Sequence, residues 1–321
     1  MTTPLHVPDL VDIARQSARL ISPDGAAHIA DFLFDACDDA GVFVDRAGNP
    51  DLYYSGFGLD ALLALGAAPR HPRCMQAFVQ RALDTPSPSF IDCASALRCL
   101  QALRQDGGNP RDDARLRAQA LDVIARHRSA DGGYNHEREG TEQGTVYAAY
   151  LAAQAHRDAD VPRFDASATL ASIEPLRTPD GGYANHPGTR QGSTPATAAA
   201  AVLFSRAGEH DRARQACRFL ATFRDPAGGY RAAPSAPLPD LLSTATALYA
   251  EALAVPLDSP PAMRPNLDFI EGLWCDDGGF RGHARDDAAD VEYTFYGLLA
   301  LGALAAFHAR PAPKGLGAGR V

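Results

Sequence analysis

Two kinds of helical pattern alternate along the chain. "RLRAQALDVIARHR" (115–128) spaces Leu116, Ala120, Val123 and Ile124 three or four residues apart among Arg and Asp, which predicts a helix with one buried and one wet face. "GLLALGALAAF" (297–307) is small or apolar on every side and predicts a helix buried all round. Ala and Leu dominate and β-branched runs are few, which favours helices. The two kinds pair six times: 26–37 with 51–66, 71–84 with 89–105, 112–128 with 141–156, 164–176 with 193–207, 210–223 with 240–254, and 261–273 with 290–308.

A turn motif punctuates the pairs. "DGGY" at Asp131 and Asp180, "AGGY" at Ala227 and "DGGF" at Asp277 place the first Gly of each pair at 132, 181, 228 and 278, giving intervals of 49, 47 and 50. Such a period marks a repeat architecture. Two degenerate copies lie upstream: "DAGVFVDRAGNPDLYYSGFGLDALLALG" weakens the turn, and "HPRCMQAFVQRALDTPSPSFIDCASALRCLQAL" loses the Gly pair. The Gly pair is expected to C-cap the first helix of each unit through a positive φ, with the next aromatic folding back as a plug. Buried helices forming an inner ring within an outer amphipathic ring give an all-α fold, an α/α toroid (α6/α6 barrel) of six helix-pair repeats; an open solenoid is the rival arrangement. The expected organisation is an N-terminal segment 1–25, the toroid 26–309 and a disordered tail 310–321.

The charge balance, 30 − 39 = −9, argues against a nucleic-acid partner. Six scattered cysteines without a CxxC pair suit a reducing, cytoplasmic compartment. "MTTPLHVPDLVDIARQ" lacks a basic region followed by an apolar core, so no signal peptide is expected, and the apolar runs are too short to predict a transmembrane segment.

The repeated DGG[YF] turns, the helix "DVEYTFYGLLALG" (290–302) and "DLYYSGFGLDALLALG" (51–66) resemble the superfamily of protein prenyltransferase β subunits and squalene/terpene cyclases over about residues 26–308. The resemblance implies a zinc held by Asp, Cys and His in the prenyltransferases. Here Asp240 keeps its place, Leu242 stands at the Cys position and Tyr293 at the His position, so no zinc is expected. Of the Arg and Lys that would clamp a diphosphate only Arg231 remains, with Arg138 and Arg190 in the corresponding earlier loops. The cyclase acid motif D-x-D-D is not found, so protonation-initiated cyclisation is not expected.

Several polar groups remain as candidates. Asp286-Asp287-Ala-Ala-Asp290 spells a Mg²⁺–diphosphate motif, but it reads first as acidic residues starting a helix. His136, His186 and His283 follow three turns and are expected on one rim. Tyr53, Tyr54, Tyr147 and Tyr296 fall on inner helices, where aromatic rings suit a hydrophobic ligand. Parallel inner helices would also gather their N-termini at that rim and attract phosphate.

The expectation is therefore a divergent, zinc-independent prenyltransferase/terpene cyclase-like protein holding an isoprenoid, an isoprenoid diphosphate or a similar hydrophobic small molecule in a central cavity. Asp240, Asp290 and Tyr293 are the candidate catalytic groups at its mouth; Asp286, Asp287 and Asp290 form the Mg²⁺ candidate. Tyr53, Tyr54, His136, Tyr147, His186, Arg190, Arg231, His283 and Tyr296 are the ligand-binding candidates. A non-catalytic scaffold is the alternative, and a prenyltransferase β-like subunit requiring a protein partner is a third reading.

Overall fold

The computed structural model describes residues 7–104, 110–161, 164–254, 256–257 and 259–309; the expected tail 310–321 lies outside them. The inner helices are α3 (Leu52–Leu65), α5 (Phe90–Leu103), α7 (Val146–Asp158), α9 (Thr194–Arg206), α11 (Leu241–Leu253) and α13 (Val291–His308). Each packs on the next and α13 packs back on α3, so the ring closes and the solenoid is ruled out. The outer helices are α2 (Pro23–Asp35), α4 (Pro72–Leu83), α6 (Pro110–Arg126), α8 (Ala166–Ile173), α10 (His210–Leu220) and α12 (Met263–Glu271). Burial separates the two sets as their sequences require: Leu298–Ala305 of α13 is buried on all sides, whereas α4 buries only Met75, Val79 and Leu83.

The Gly-Gly turns differ from expectation in one respect. The outer helix ends several residues before the first Gly, which occupies the left-handed region of a tight turn (φ 88° at Gly132, 94° at Gly278) and not a helix C-cap. Short antiparallel bridges flank the turns: Arg128 with Tyr134, Arg177 with Tyr183, Arg224 with Tyr230 and Trp274 with Phe280. Cys37 with Phe43 repeats the arrangement, so the first copy keeps its turn in the form Asp39-Ala40-Gly41-Val42-Phe43. The aromatic is the plug in each case, buried against the inner helix. A Cβ on Gly58 would stand 2.4 Å from the Phe43 ring.

Two recurring hydrogen bonds stitch the repeats. The backbone N–H of Tyr183, Tyr230 and Phe280 donates to the hydroxyl of Thr197, Thr244 and Thr294, fourteen residues on in each case. An N–H at the start of an inner helix, from its first or second residue, donates to an acceptor two residues past the aromatic of the next turn: Tyr147 to the Asn185 side chain, Thr194 to the Ala232 carbonyl and Leu241 to the Gly282 carbonyl.

The N-terminal segment is a working part of the ring and no mere flank. Helix α1 (Leu10–Ala14) and the 3₁₀ turn Arg15–Arg19 pack across α13 and α3 at the C-terminal end of the inner helices. Contact is close enough that a Cβ on Gly302 would lie 2.0 Å from the Ile13 carbonyl oxygen. Arg157 donates to the Val7 carbonyl and Tyr249 to the Pro8 carbonyl, fixing the plug to α7 and α11. The toroid is thus stoppered at one end.

Candidate functional site

The stopper leaves a central cavity of about 280 Å³ to which all six inner helices and Leu10 of α1 contribute. Its depth follows from α7, which runs along the wall from Tyr147 to Asp158, eleven residues or about 16 Å at 1.5 Å per residue. Tyr53, Phe57, Tyr147, Tyr150, Phe295 and Tyr296 supply rings; Ile91, Leu151, Val202, Leu242 and Leu299 supply alkyl surface. Phe57 sits edge-on to Tyr53 at 4.9 Å and tilted to Tyr296 at 5.4 Å, so the rings brace one another around the void. Tyr53, Tyr147 and Tyr296 are therefore in the wall, whereas Tyr54 and Tyr293 stand at the rim beyond it.

At the mouth, Arg46 organises the acidic string. Its Nε lies 2.7 Å from Asp290 Oδ2, its Nη2 2.9 Å from Asp286 Oδ2 and its Nη1 3.2 Å from Asp286 Oδ1. Those bonds hold the Asp286 carboxyl below its ordinary value. Asp290 Oδ1 meanwhile caps α13 through the Tyr293 N–H at 2.7 Å. A guanidinium thus stands where the Mg²⁺ reading placed a cation, and Asp287 is exposed outside the group. The string is an arginine latch joining the first repeat to the last. Tyr293 packs its ring over Gly282, with the Arg46 guanidinium 5.7 Å from its centroid.

Asp240 caps α11: Oδ1 accepts from the Ser243 N–H at 2.7 Å and Oδ2 from its hydroxyl at 2.8 Å, and burial raises its pKa. Leu242 faces the cavity. A carboxylate already spent as a cap, an alkyl chain and a phenol do not make a zinc donor set. Among the described residues no group of three or more His, Cys, Asp or Glu is arranged to hold a metal ion.

The remaining rim candidates sit in separate local surroundings. His136 is partly buried edge-on to Tyr147 (5.2 Å), with Nδ1 unpartnered and its pKa lowered by burial. His186 is exposed, and His283 Nδ1 accepts from the Arg285 N–H. Arg190 is exposed, and Arg231 is paired with Asp225 at 2.7 Å. The gathered helix N-termini are also occupied, since Asp51, Ser89, Thr145, Ser193, Asp240 and Asp290 each cap an inner helix through a side-chain oxygen. The phosphate-attracting rim expected from the sequence is therefore quenched.

The polar groups that reach the cavity lie at its floor. Arg98 of α5 pairs with Asp60 of α3 (Nε–Oδ2 2.5 Å) and lies over the rings of Phe57 and Phe295, at 4.3 and 5.0 Å. Its Nη2 has no partner among the described residues. Asp158, the last residue of α7, is 7 % exposed and has no ion-pair partner among the described residues. Its Oδ1 accepts from Gln154 Nε2 at 2.7 Å. Burial first, and then the Asp60 charge, push its pKa up to about 7. Above them, Tyr53 donates to Glu292 Oε1 at 2.7 Å, and burial raises the Glu292 pKa. None of Asp60, Arg98 or Asp158 was singled out from sequence. The signal was present as a charged residue in the middle of a largely apolar, largely buried helix, as in "LYYSGFGLDALLAL" and "FIDCASALRCLQAL".

The prenyltransferase alpha-alpha toroid domain family matches residues 87–205 and 196–311. In fold the chain is similar to a type II terpene cyclase from Scytonema solved with geranylgeranyl dihydroxybenzoate (TM-score 0.59, 12 % identity, 91 % of this chain and 97 % of that one). It is similar to a Candida albicans protein geranylgeranyltransferase-I complexed with GGPP (0.53, 11 %, 93 % and 83 %). It also resembles an inactive α-1,6-mannanase variant of Salegentibacter sp. HEL1_6 in complex with α-1,6-mannotriose (0.60, 12 %, 88 % and 98 %), so the scaffold alone does not choose between greasy and sugar ligands. No curated protein matches the chain in sequence.

Proposed function

The chain belongs to the prenyltransferase α/α-toroid family, and from that premise we propose that it binds and transforms a small isoprenoid or similarly hydrophobic molecule in its central cavity, without zinc. One observation carries this reading: a stoppered cavity of about 280 Å³ whose wall is built mainly of aromatic rings and alkyl chains from all six inner helices. A sugar would leave most of its hydroxyls unpaired against that wall, a cost the wall residues cannot offset. The capped rim and the pairing of Arg46 and Arg231 favour a ligand without a diphosphate, such as an alcohol or hydrocarbon.

The test is equilibrium binding and product analysis with farnesol, geranylgeraniol and their diphosphates. Saturable binding of the alcohols and a new terpenoid by gas chromatography–mass spectrometry are expected. Ala199→Trp, which fills the cavity from α9, should abolish both while leaving the helical circular dichroism intact. Binding unaffected by that substitution overturns the reading. Tight binding without turnover identifies a carrier, the non-catalytic alternative.

A further inference from the structure

A second pocket, of about 760 Å³, lies between the fourth and fifth repeats and shares no lining residue with the central cavity. Exposed Arg177, Gln215 and Arg218 place it at the surface. On a chain of net charge −9 its wall is a positive exception: Arg177, Arg218, Arg224 and Arg231 line it with a single carboxylate, Asp180. That carboxylate is spent inside its own turn, where it accepts from the Thr178 hydroxyl and from the N–H groups of Gly182 and Gly192. The largely buried rings of Phe219 and Phe223, tilted to each other at 4.9 Å, form the apolar part of the wall.

Comparing the repeats shows which guanidinium is uncommitted. Arg128, Arg177 and Arg224 hold the same place, each bridging the aromatic of its turn. Arg128 pairs with Asp165, the N-cap of the next outer helix, at 3.0 Å. Arg224 has all three nitrogens engaged, by Tyr230, by Ser259 and by the buried Glu251 carboxylate at 2.9 Å, so it stands as a fixed charge. For Arg177 the corresponding N-cap is Glu209, and Arg212 takes both that carboxylate and Glu174. The Arg177 side chain is thus left without an ion-pair or hydrogen-bond partner among the described residues. Arg231 gives Nε and Nη2 to Asp225 and keeps Nη1.

We propose that this outer pocket binds a small, soluble organic phosphate. Arg177 and Arg231 Nη1 hold the phosphoryl group within the field of Arg218 and Arg224, and the body of the ligand lies against Phe219 and Phe223. A guanidinium presents paired N–H groups that match two phosphate oxygens, so Arg177 supplies direction where the committed arginines supply charge. A phosphomonoester carries a charge of about −1.5 to −2 near pH 7, which suits a wall with four cations and one spent carboxylate. The volume lies within the roughly 300–1,000 Å³ of small-molecule sites. The site is independent of whatever the central cavity holds.

The experiment is titration calorimetry of the full chain at low salt with adenosine 5′-monophosphate, adenosine and inorganic phosphate. The monophosphate should bind saturably, one per chain, and about tenfold or more tighter than adenosine, with inorganic phosphate competing. Arg177→Gln should weaken it about tenfold, and Gln215→Glu, which sets a carboxylate in the same wall, at least as much. Gln215→Lys should tighten it severalfold, a gain that no folding defect produces. Both positions are exposed, so circular dichroism should be unchanged in all three variants. No binding of the monophosphate at millimolar concentration, affinity equal to that of adenosine, or changes under twofold in all three variants overturns the site. Flotation with phosphatidic acid vesicles that Arg177→Gln abolishes and the monophosphate does not displace overturns the soluble ligand in favour of a lipid headgroup.

Discussion

Removing Arg98 strands Asp60 in the core. The two side chains are 17 % and 9 % exposed, and what exposure Arg98 has is to the cavities it lines. Breaking a buried ion pair from one side costs about 3–5 kcal/mol, because the remaining charge keeps its desolvation penalty without its partner. Arg98→Met keeps the length of the chain and loses the charge; at about 2 °C per kcal/mol for a chain of this size, the midpoint should fall about 6–10 °C. Asp60→Leu should cost a similar amount by stranding Arg98. The double variant Asp60→Leu/Arg98→Met fills the space with apolar groups and should lie within about 1 kcal/mol of the parent. The coupling energy is then about 5 kcal/mol or more. The contacts of Arg98 with Phe57 and Phe295, worth about 1 kcal/mol, vanish in both Arg98 variants and cancel from the cycle. Urea unfolding followed by circular dichroism measures all four proteins. Single variants costing less than about 1 kcal/mol each, and adding without coupling, refute the account of the floor as a desolvated pair.

Stability should fall as pH rises from about 4 to about 7 and level off above that. Asp158 and Glu251 both have folded pKa values raised to about 7, above their ordinary 3.8 and 4.5, so the folded state holds protons that the unfolded state releases, and stability is lost between those limits. Thermal midpoints from pH 5 to 8 should decline in the parent, and Asp158→Asn should flatten the slope; a flat parent profile contradicts the burial of both carboxyls. Arg46→Ala opens the latch between first and last repeats. With Arg46 44 % exposed the cost should be about 1 kcal/mol, largely erased by high salt, and a salt-insensitive loss argues against a latch held by charge. Gly58→Ala drives a methyl into the Phe43 ring and should cost about 1–3 kcal/mol by denaturant unfolding; a neutral outcome means the plug is loosely seated.

The fold was legible because repetition amplifies a weak signal. A single "DGGF" turn is uninformative, but four of them at nearly constant spacing, each before a helix without a wet face, admit few architectures. The Thr fourteen residues past Tyr183, Tyr230 and Phe280 was equally visible in sequence and was missed, because a hydroxyl bonding a backbone N–H leaves no mark on hydrophobic periodicity. At the site, Tyr53, Tyr147 and Tyr296 lie in the cavity wall, whereas the polar residues at helix starts lie at its rim, away from the floor. Asp240, Asp286 and Asp290 look chemical in sequence because they are acidic and clustered, yet each oxygen accounted for is spent on a cap or on Arg46, a residue some 240 positions away that no local pattern connects to them.

The stitching of the repeats also determines where chemistry can sit. Each inner helix gives its first N–H groups to its own cap or to the following turn, so the donors that would greet an anion at the rim are consumed in closing the ring. The C-terminal ends have no such periodic partner. They are covered by α1, which breaks the six-fold pattern and contributes one side chain, Leu10, to the cavity. Polar groups that the repeats do not satisfy therefore collect beneath it: the free Nη2 of Arg98, two unpartnered nitrogens of Arg206 and the single-anchored carboxyl of Asp158. A ligand entering past Tyr53 and Glu292 meets rings first and an acid last. With the wall apolar, the hydrocarbon end of such a ligand leads and any hydroxyl trails at the mouth, so capping farnesol's hydroxyl as a methyl ether should leave binding nearly unchanged. A methyl ether that binds much more weakly than farnesol places the hydroxyl deep in the cavity and refutes the orientation.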